Sequence, residues 1–376
     1  MIFSDEHIEK IRNYDFFKKC LLDETNEGLE TVKAWGSYQD RIPFVSFVVT
    51  TYKRPHYLKL ALESIIRQSF NDYEIIVVDN ECAVIEADTE TQILIKSLNN
   101  PRIVYFRNIN PMNARMDRGA SLARGEWLCF CHDDDMFAAN HLETMVHLVK
   151  SHPEINFLSC PYRTFSDNDY EKIKQNGFIA NNRHGGRGEE SCLQEGVFFH
   201  QGPWTGALIK RKLYKKMGGT PKISLGCGDM LMGTKFIYWY SGFYRLNAPL
   251  FFYRLSDSQV SRKHDNWLNT FISDFFFYKY ALKKVNGIPK INNDYLSLAF
   301  VLEGMAYTEK YHGVKIDLDL FCKKCGLEKS DFDFNLMNQY VETWMAYERQ
   351  LNQEKEHIPN KRFEFFIEKI AKLPYM

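Results

Sequence analysis

The sequence has no excess of charge of either sign: Lys and Arg number 48 and Asp and Glu number 48 among 376 residues. Bulk electrostatics therefore provides no attraction to DNA, RNA or a broadly acidic surface, and recognition through charge has to be local. Long apolar runs are missing as well, since FVSFVV and WLCFC fall well short of the roughly 20 residues that a membrane span requires. The opening MIFSDEHIEKIR turns charged at once and carries no signal-peptide pattern. With nine cysteines in a chain of this size, that predicts free thiols in a reducing, cytoplasmic compartment. Cys129, Cys131 and His132 stand close together, but Cys-x-Cys on a strand lacks the loop spacing and second ligand pair of a zinc site, so buried thiols are expected there.

What is present is apolar material in a definite order. A chain that is 45% hydrophobic and 15% aromatic can build the core of two domains or so. FVSFVVTTY (44–52) is a β-rich run, followed by PHYLKLALESIIRQSF, in which Leu58, Ala61, Leu62, Ile65 and Ile66 recur at helical spacing behind Pro55. YEIIVVDN (73–80) is a second strand, a helix is expected over about 84–98, and RIVYFRN (102–108) is a third strand. NARMDRGASLARG reads as a short helix closed by Gly125, and EWLCFC is the strand that runs into CHDDDMF. Near-continuous apolar strands alternating with helices predict a parallel sheet covered on both faces, with ligands beyond the carboxyl ends of the strands. TTYKRP, VVDN and HDDD all fall at such ends, so they are expected to converge on one crevice.

Adjacent carboxylates raise one another's pKa unless a cation or hydrogen-bond donors compensate. Mg2+ or Mn2+ would suit such oxygens, binding through one or two carboxylates with water and the phosphates of a nucleotide completing the shell. The alternative is that the aspartates cap a helix beginning near Ala138.

PFVSFVVTTYKRPHYLKLALESIIRQSFNDYEIIVVDN, followed by NPMNARMDRGASLARGEWLCFCHDDD, resembles the nucleotide-binding half of a family 2 glycosyltransferase of the GT-A fold. The resemblance covers about 43–165, through the strand-end Thr-Thr-Tyr, the Arg-Pro helix start, the Gln-Ser-Phe helix end and the Ala-x-Gly-Glu approach to the acidic motif. It implies that Thr50, Thr51, Tyr52 and Arg54 border the base and ribose, with Asp79 and Asn80 beside them. Arg115 would lie against the base or the diphosphate. Relatives often carry an aspartate at the position of Asn80, which leaves uridine versus thymidine open. Where the family shows Asp-x-Asp this chain has His132-Asp133-Asp134, so Asp134 inherits the metal role, Asp133 the ribose or donor sugar, and Asp135 the cap of the next helix.

Beyond 165 the resemblance thins. SDNDYEKIKQNGFIANNRHGGRGEESC reads as a long acceptor-side loop, and PWTGALIKRKLYKKMGG restores a strand and helix, bringing Trp204 among the candidates. Asp229, in LGCGDMLMGTKF, keeps the second acid of the family's Glu-Asp pair and is expected to be the general base; an N-cap is its plain alternative. In NAPLFFYRLSDSQVSRKH, Arg254 is a diphosphate candidate and His264 a weaker one for metal or phosphate.

From about 265 onward the periodicity is helical, with Phe363, Phe366, Ile367 and Ile370 on one face of a last helix among Lys361, Arg362, Lys369 and Lys372. That face could pack on the domain or lie on a membrane surface, and the region could form a homodimer interface. The expected organisation is an N-terminal helical extension (1–42), a GT-A domain (43–264, its halves meeting at 165/166) and a helical C-terminal region (265–376). The expected function is metal-dependent inverting transfer of a sugar from a nucleoside diphosphate sugar, UDP-sugar favoured, to a hydroxyl of a glycan or lipid-linked acceptor in bacterial surface polysaccharide synthesis. Two rivals stand beside it. One is a glycosyltransferase-like binding protein without turnover; the other is a sugar-nucleotide pyrophosphorylase, which should open with a Gly-rich phosphate loop where TTYKRP has no glycine.

Overall fold

A computed structural model of the chain describes residues 2–19, 21–22, 30–81, 88–109, 116–176, 193–195, 205–220, 232–233, 235–236, 239–246, 248–255, 264–284, 293–333 and 335. The strands are β1 (Thr31–Trp35), β2 (Val45–Thr51), β3 (Tyr73–Asp79), β4 (Ile103–Asn108), β5 (Trp127–His132), β6 (Met136–Phe137), β7 (Phe157–Ser159), β8 (Tyr162–Phe165), β9 (Leu193–Glu195), β10 (Leu208–Lys210), β11 (Phe243–Leu246) and β12 (Phe251–Arg254). The helices are α1 (Asp5–Arg12), α2 (Pro55–Ile66), α3 (Glu90–Leu98), α4 (Met116–Leu122), α5 (His141–Ser151), α6 (Tyr170–Gln175), α7 (Arg211–Met217), α8 (His264–Lys284), α9 (Asn293–His312) and α10 (Leu318–Cys325).

Nine strands form one sheet in the order β1-β4-β3-β2-β5-β10-β7-β11-β9. The pairs β4–β3, β3–β2 and β2–β5 are parallel, as the uninterrupted apolar runs require, because both faces of these strands are covered. Val45, Phe47 and Val49 point to one face, against Leu58, Leu62 and Ile65 of α2 and Leu142 and Met145 of α5. Val48, Ile76 and Phe130 point to the other, against Met116 and Ala120 of α4 and Tyr214 and Met217 of α7. The α/β class with a mostly parallel centre is therefore what the chain adopts, with β10, β1 and β9 running antiparallel to their neighbours. A small second sheet, β6-β12-β8, begins directly after the acidic motif.

The amino ends of the strands are tied by a buried polar knot. Ser46 donates to Glu74 (2.7 Å), Arg124 pairs with Glu74 (3.1 Å), and the Gly125 amide donates to Ser46 Oγ (2.8 Å). A Cβ on Gly125 would lie 2.7 Å from the Ser46 amide nitrogen, which is why the approach to β5 passes through glycine.

The first 42 residues are not helical throughout, contrary to expectation. TVKAW forms β1, antiparallel to β4 at the sheet edge, followed by Gly36 at φ +78, where a Cβ would meet the Ile103 carbonyl at 2.2 Å. The helical part, α1, joins α8, α9 and α10 in a separate apolar cluster that buries Phe3, Ile8, Ile11, Phe16, Phe271, Phe275, Leu298 and Phe321. The helical character expected after 265 holds for α8 to α10, while the last helix and its basic face lie outside the described residues. Among the described residues no helix is long and apolar enough to cross a membrane. Cys129 and Cys131 are free, buried thiols, as expected on a core strand.

Candidate nucleotide-sugar site

The parallel register brings the three polar stretches together. Thr51 pairs with Asp79 across β2 and β3, Thr50 with His132 across β2 and β5, and Asp79 with Arg107 across β3 and β4. The Asn80 amide extends the β2–β3 ladder to the Thr51 carbonyl at 2.9 Å. Thr50, Thr51, Asp79, Asn80, Asp133 and Asp134 thus share one rim, at the carboxyl ends where the fold leaves a crevice.

Lys53 follows β2 with φ +54, in the left-handed region that a side chain seldom adopts, and Arg54 stands at the N-cap of α2 with no capping bond from its side chain. The guanidinium instead crosses to the acidic turn. Its Nε donates to Asp133 Oδ2 (3.3 Å), Nη1 donates to Asp134 Oδ2 (3.0 Å), and Nη2 pairs with Asp133 Oδ1. Thr51 Oγ1 also donates to Asp133 Oδ2, at 2.8 Å. Both Asp133 oxygens are engaged, whereas Asp134 keeps Oδ1 without a hydrogen bond.

Electrostatics follows burial. The Asp133 pKa is raised to about 6 because desolvation and the neighbouring Asp134 outweigh Arg54 and Thr51. Burial works against charge on Arg54, but Asp133 and Asp134 more than offset it and its pKa is raised. Asp79 is raised by burial as well. Its Oδ2 accepts from Tyr105 (2.6 Å) and its Oδ1 from the Glu81 amide (2.8 Å), so this carboxylate braces the crevice wall, and Asn80 is the polar side chain beside it. Asn80 Oδ1 accepts from Asn108 Nδ2 at 2.8 Å.

Asp135 does not cap the next helix. The chain continues into β6, α5 starts at His141, and its second amide, Leu142, donates to Gln68 Oε1 at 2.8 Å. The Gln-Ser-Phe stretch therefore supplies the cap from across the fold, with Ser69 donating to Glu143 at 2.7 Å. Asp135 is fully buried and accepts from the Arg254 amide at 3.1 Å. Arg254, expected to reach a diphosphate, is fully buried too: Nε donates to the Asp134 carbonyl (2.8 Å), Nη1 pairs with Asp167, and the guanidinium packs on the rings of Tyr57 (4.6 Å) and Phe165 (4.5 Å). In this arrangement it holds the acidic turn from behind.

Tyr52 is exposed at the rim. Arg115, Trp204 and Asp229 lie outside the described residues, and His264 opens α8 with its side chain outside them. Sequence reasoning missed Tyr105, Asn108, Tyr57 and Asp167. Asn108 had a readable signal, since it ends a strand adjacent to Asn80, whereas the other three depend on contacts distant in sequence.

No group of three or more Asp, Glu, His or Cys among the described residues could by itself cage a metal ion. One carboxylate oxygen, Asp134 Oδ1, remains open beside the saturated Asp133. That donor set fits Mg2+ or Mn2+ completed by water and substrate phosphates.

Residues 46–218 match glycosyl transferase family 2. Among curated relatives, the Campylobacter jejuni GalNAc(5)-diNAcBac-PP-undecaprenol beta-1,3-glucosyltransferase is 33% identical over 108 residues, covering 28% of this chain and 34% of that protein. The Rhizobium meliloti succinoglycan biosynthesis protein ExoO is 34% identical over 110 residues, covering 28% of this chain and 30% of that protein. The chain thus spans about a third of the length of these relatives. The solved structure of S. aureus TarS 1-349 superposes with a TM-score of 0.49 at 15% identity, covering 88% of this chain and 92% of that one. Residues 46–218, a little under half of the chain, are thus similar to glycosyl transferase family 2.

Proposed function

We propose that this protein is a metal-dependent, inverting glycosyltransferase that moves a sugar from a nucleoside diphosphate donor, UDP-sugar favoured, to a hydroxyl of a glycan or lipid-linked acceptor in bacterial surface polysaccharide synthesis. The observation that carries the reading is the rim itself, where Thr51, Asn80, Asp133 and Asp134 stand together at the ends of β2, β3 and β5, with one carboxylate oxygen open. The relatives' roles in undecaprenol-linked glycan and succinoglycan synthesis support the acceptor class. Asp134 would hold Mn2+ or Mg2+, whose chemistry is to neutralise charge on the leaving diphosphate. Asn80 and Asn108 would face the base, and Thr50 and Tyr52 would line the nucleoside. Asp229 would take the proton from the acceptor hydroxyl.

Calorimetric titration of UDP, dTDP and GDP, each with Mn2+ and with chelator, tests the donor site. Metal-dependent binding of one pyrimidine diphosphate is expected; no binding of any of them would favour a protein without turnover. Asp134→Ala should abolish the metal-dependent binding. Asp229→Asn should leave it intact and remove transfer, and transfer at the parental rate would show that the base lies elsewhere.

A further inference from the structure

Among the described residues Arg54 is the cation paired with the carboxylates of Asp133 and Asp134, and the local chain departs from ordinary helix-start chemistry to put it there. A left-handed Lys53 precedes it, and the N-cap position carries a side chain that caps nothing. Its planar fork spans two carboxylates, with Nε and Nη2 on Asp133 and Nη1 on Asp134, a geometry that a point-charge lysine cannot reproduce. The guanidinium is also the outermost member of the group. The Arg54 side chain is 36% exposed, against 1% for Asp133 and 11% for Asp134.

We infer that Arg54 is a tethered competitor for the divalent ion: it holds Asp134 Oδ2 and gives that oxygen up when the ion binds. The inference rests on the donor-site reading above. A divalent ion on Asp134 Oδ1 and a guanidinium on Oδ2 of the same carboxylate repel each other, which favours release of Arg54 from Asp134 when the ion binds, while Asp133, held also by Thr51, stays in place. The consequence is weak binding of the ion alone. Full occupancy would come with the nucleotide, whose phosphates offer both further oxygens for the ion and a new anionic partner for the released guanidinium.

The test titrates MnCl2 alone into the parent and the Arg54→Gln variant, following free Mn2+ by electron paramagnetic resonance, with circular dichroism confirming the fold. Arg54→Gln should bind Mn2+ about tenfold more tightly than the parent, within the usual range of site coupling. Equal or weaker binding, or no Mn2+ binding by either protein, overturns the proposal. If Arg54→Gln does not fold, Arg54→Lys decides, since loss of the fork should also tighten Mn2+ binding and an unchanged affinity overturns it. Parallel titration with UDP keeps the two readings apart. Tighter Mn2+ binding by the variant without any UDP binding by the parent would uphold the competition and remove the donor-site reading, whereas UDP binding with unchanged Mn2+ affinity would do the reverse.

Discussion

Asp133 shows how much a single side chain in the turn constrains the molecule. Its raised pKa, about 6, means that the folded chain holds the proton more tightly than the unfolded chain does, so this contribution favours folding below about pH 4 and is lost as pH rises through about 6. The loss amounts to about 3 kcal/mol at most, from a shift of roughly two units at about 1.4 kcal/mol each. In chelator, Asp133→Asn is therefore expected to raise Tm at pH 7.5 and to flatten the dependence of Tm on pH between about 4 and 6. A variant that melts lower than the parent at pH 7.5 would mean that the Arg54 pair outweighs burial. Asp134 sits one residue on and keeps one carboxylate oxygen without a hydrogen bond, whereas both oxygens of Asp133 are held.

At the scale of elements, the small sheet seats the acidic turn. β12 places Arg254 so that its amide meets Asp135 and its Nε meets the Asp134 carbonyl, while the side chain is held between Tyr57 of α2 and Phe165 of β8. Arg254→Lys keeps the charge but loses the Nε contact and the flat ring stacking. It should cost about 2–3 kcal/mol and weaken Mn2+-dependent nucleotide binding, measured by thermal melts and calorimetry. Unchanged binding would confine Arg254 to packing. At the opposite end of β5, Gly125→Ala should destabilise by about 1–3 kcal/mol in chemical unfolding, because the added methyl would press on backbone atoms of Val45 and Ser46 that cannot move aside.

Across the whole molecule the two ends of the described chain fold together. Ile11 of α1 is fully buried in the cluster built by α8, α9 and α10, and the Phe3 amide donates to Asn269 at 2.8 Å. Ile11→Ala should cost about 2–4 kcal/mol and speed hydrogen exchange in α8 and α9, with UDP binding unchanged. If exchange there is unaltered, α1 does not support the C-terminal helices.

The sequence by itself determined the central strands and the helices beside them. Val45–Thr51, Tyr73–Asp79, Ile103–Asn108 and Trp127–His132 are local runs whose two-sided burial can be read from residue type alone, and the rule that ligands lie beyond strand ends placed Thr51, Asn80 and Asp134 on one rim. The edge strand β1 was not legible, because TVKAW becomes a strand through pairing with β4, some seventy residues away. Nor was the division of labour among the three aspartates. Only the tertiary structure decided that Arg54 takes Asp133 and Asp134, that Arg254 takes Asp135 and that Gln68 caps α5, since each is a contact between segments distant in the chain, and periodicity carries no information about which oxygen a distant donor will reach.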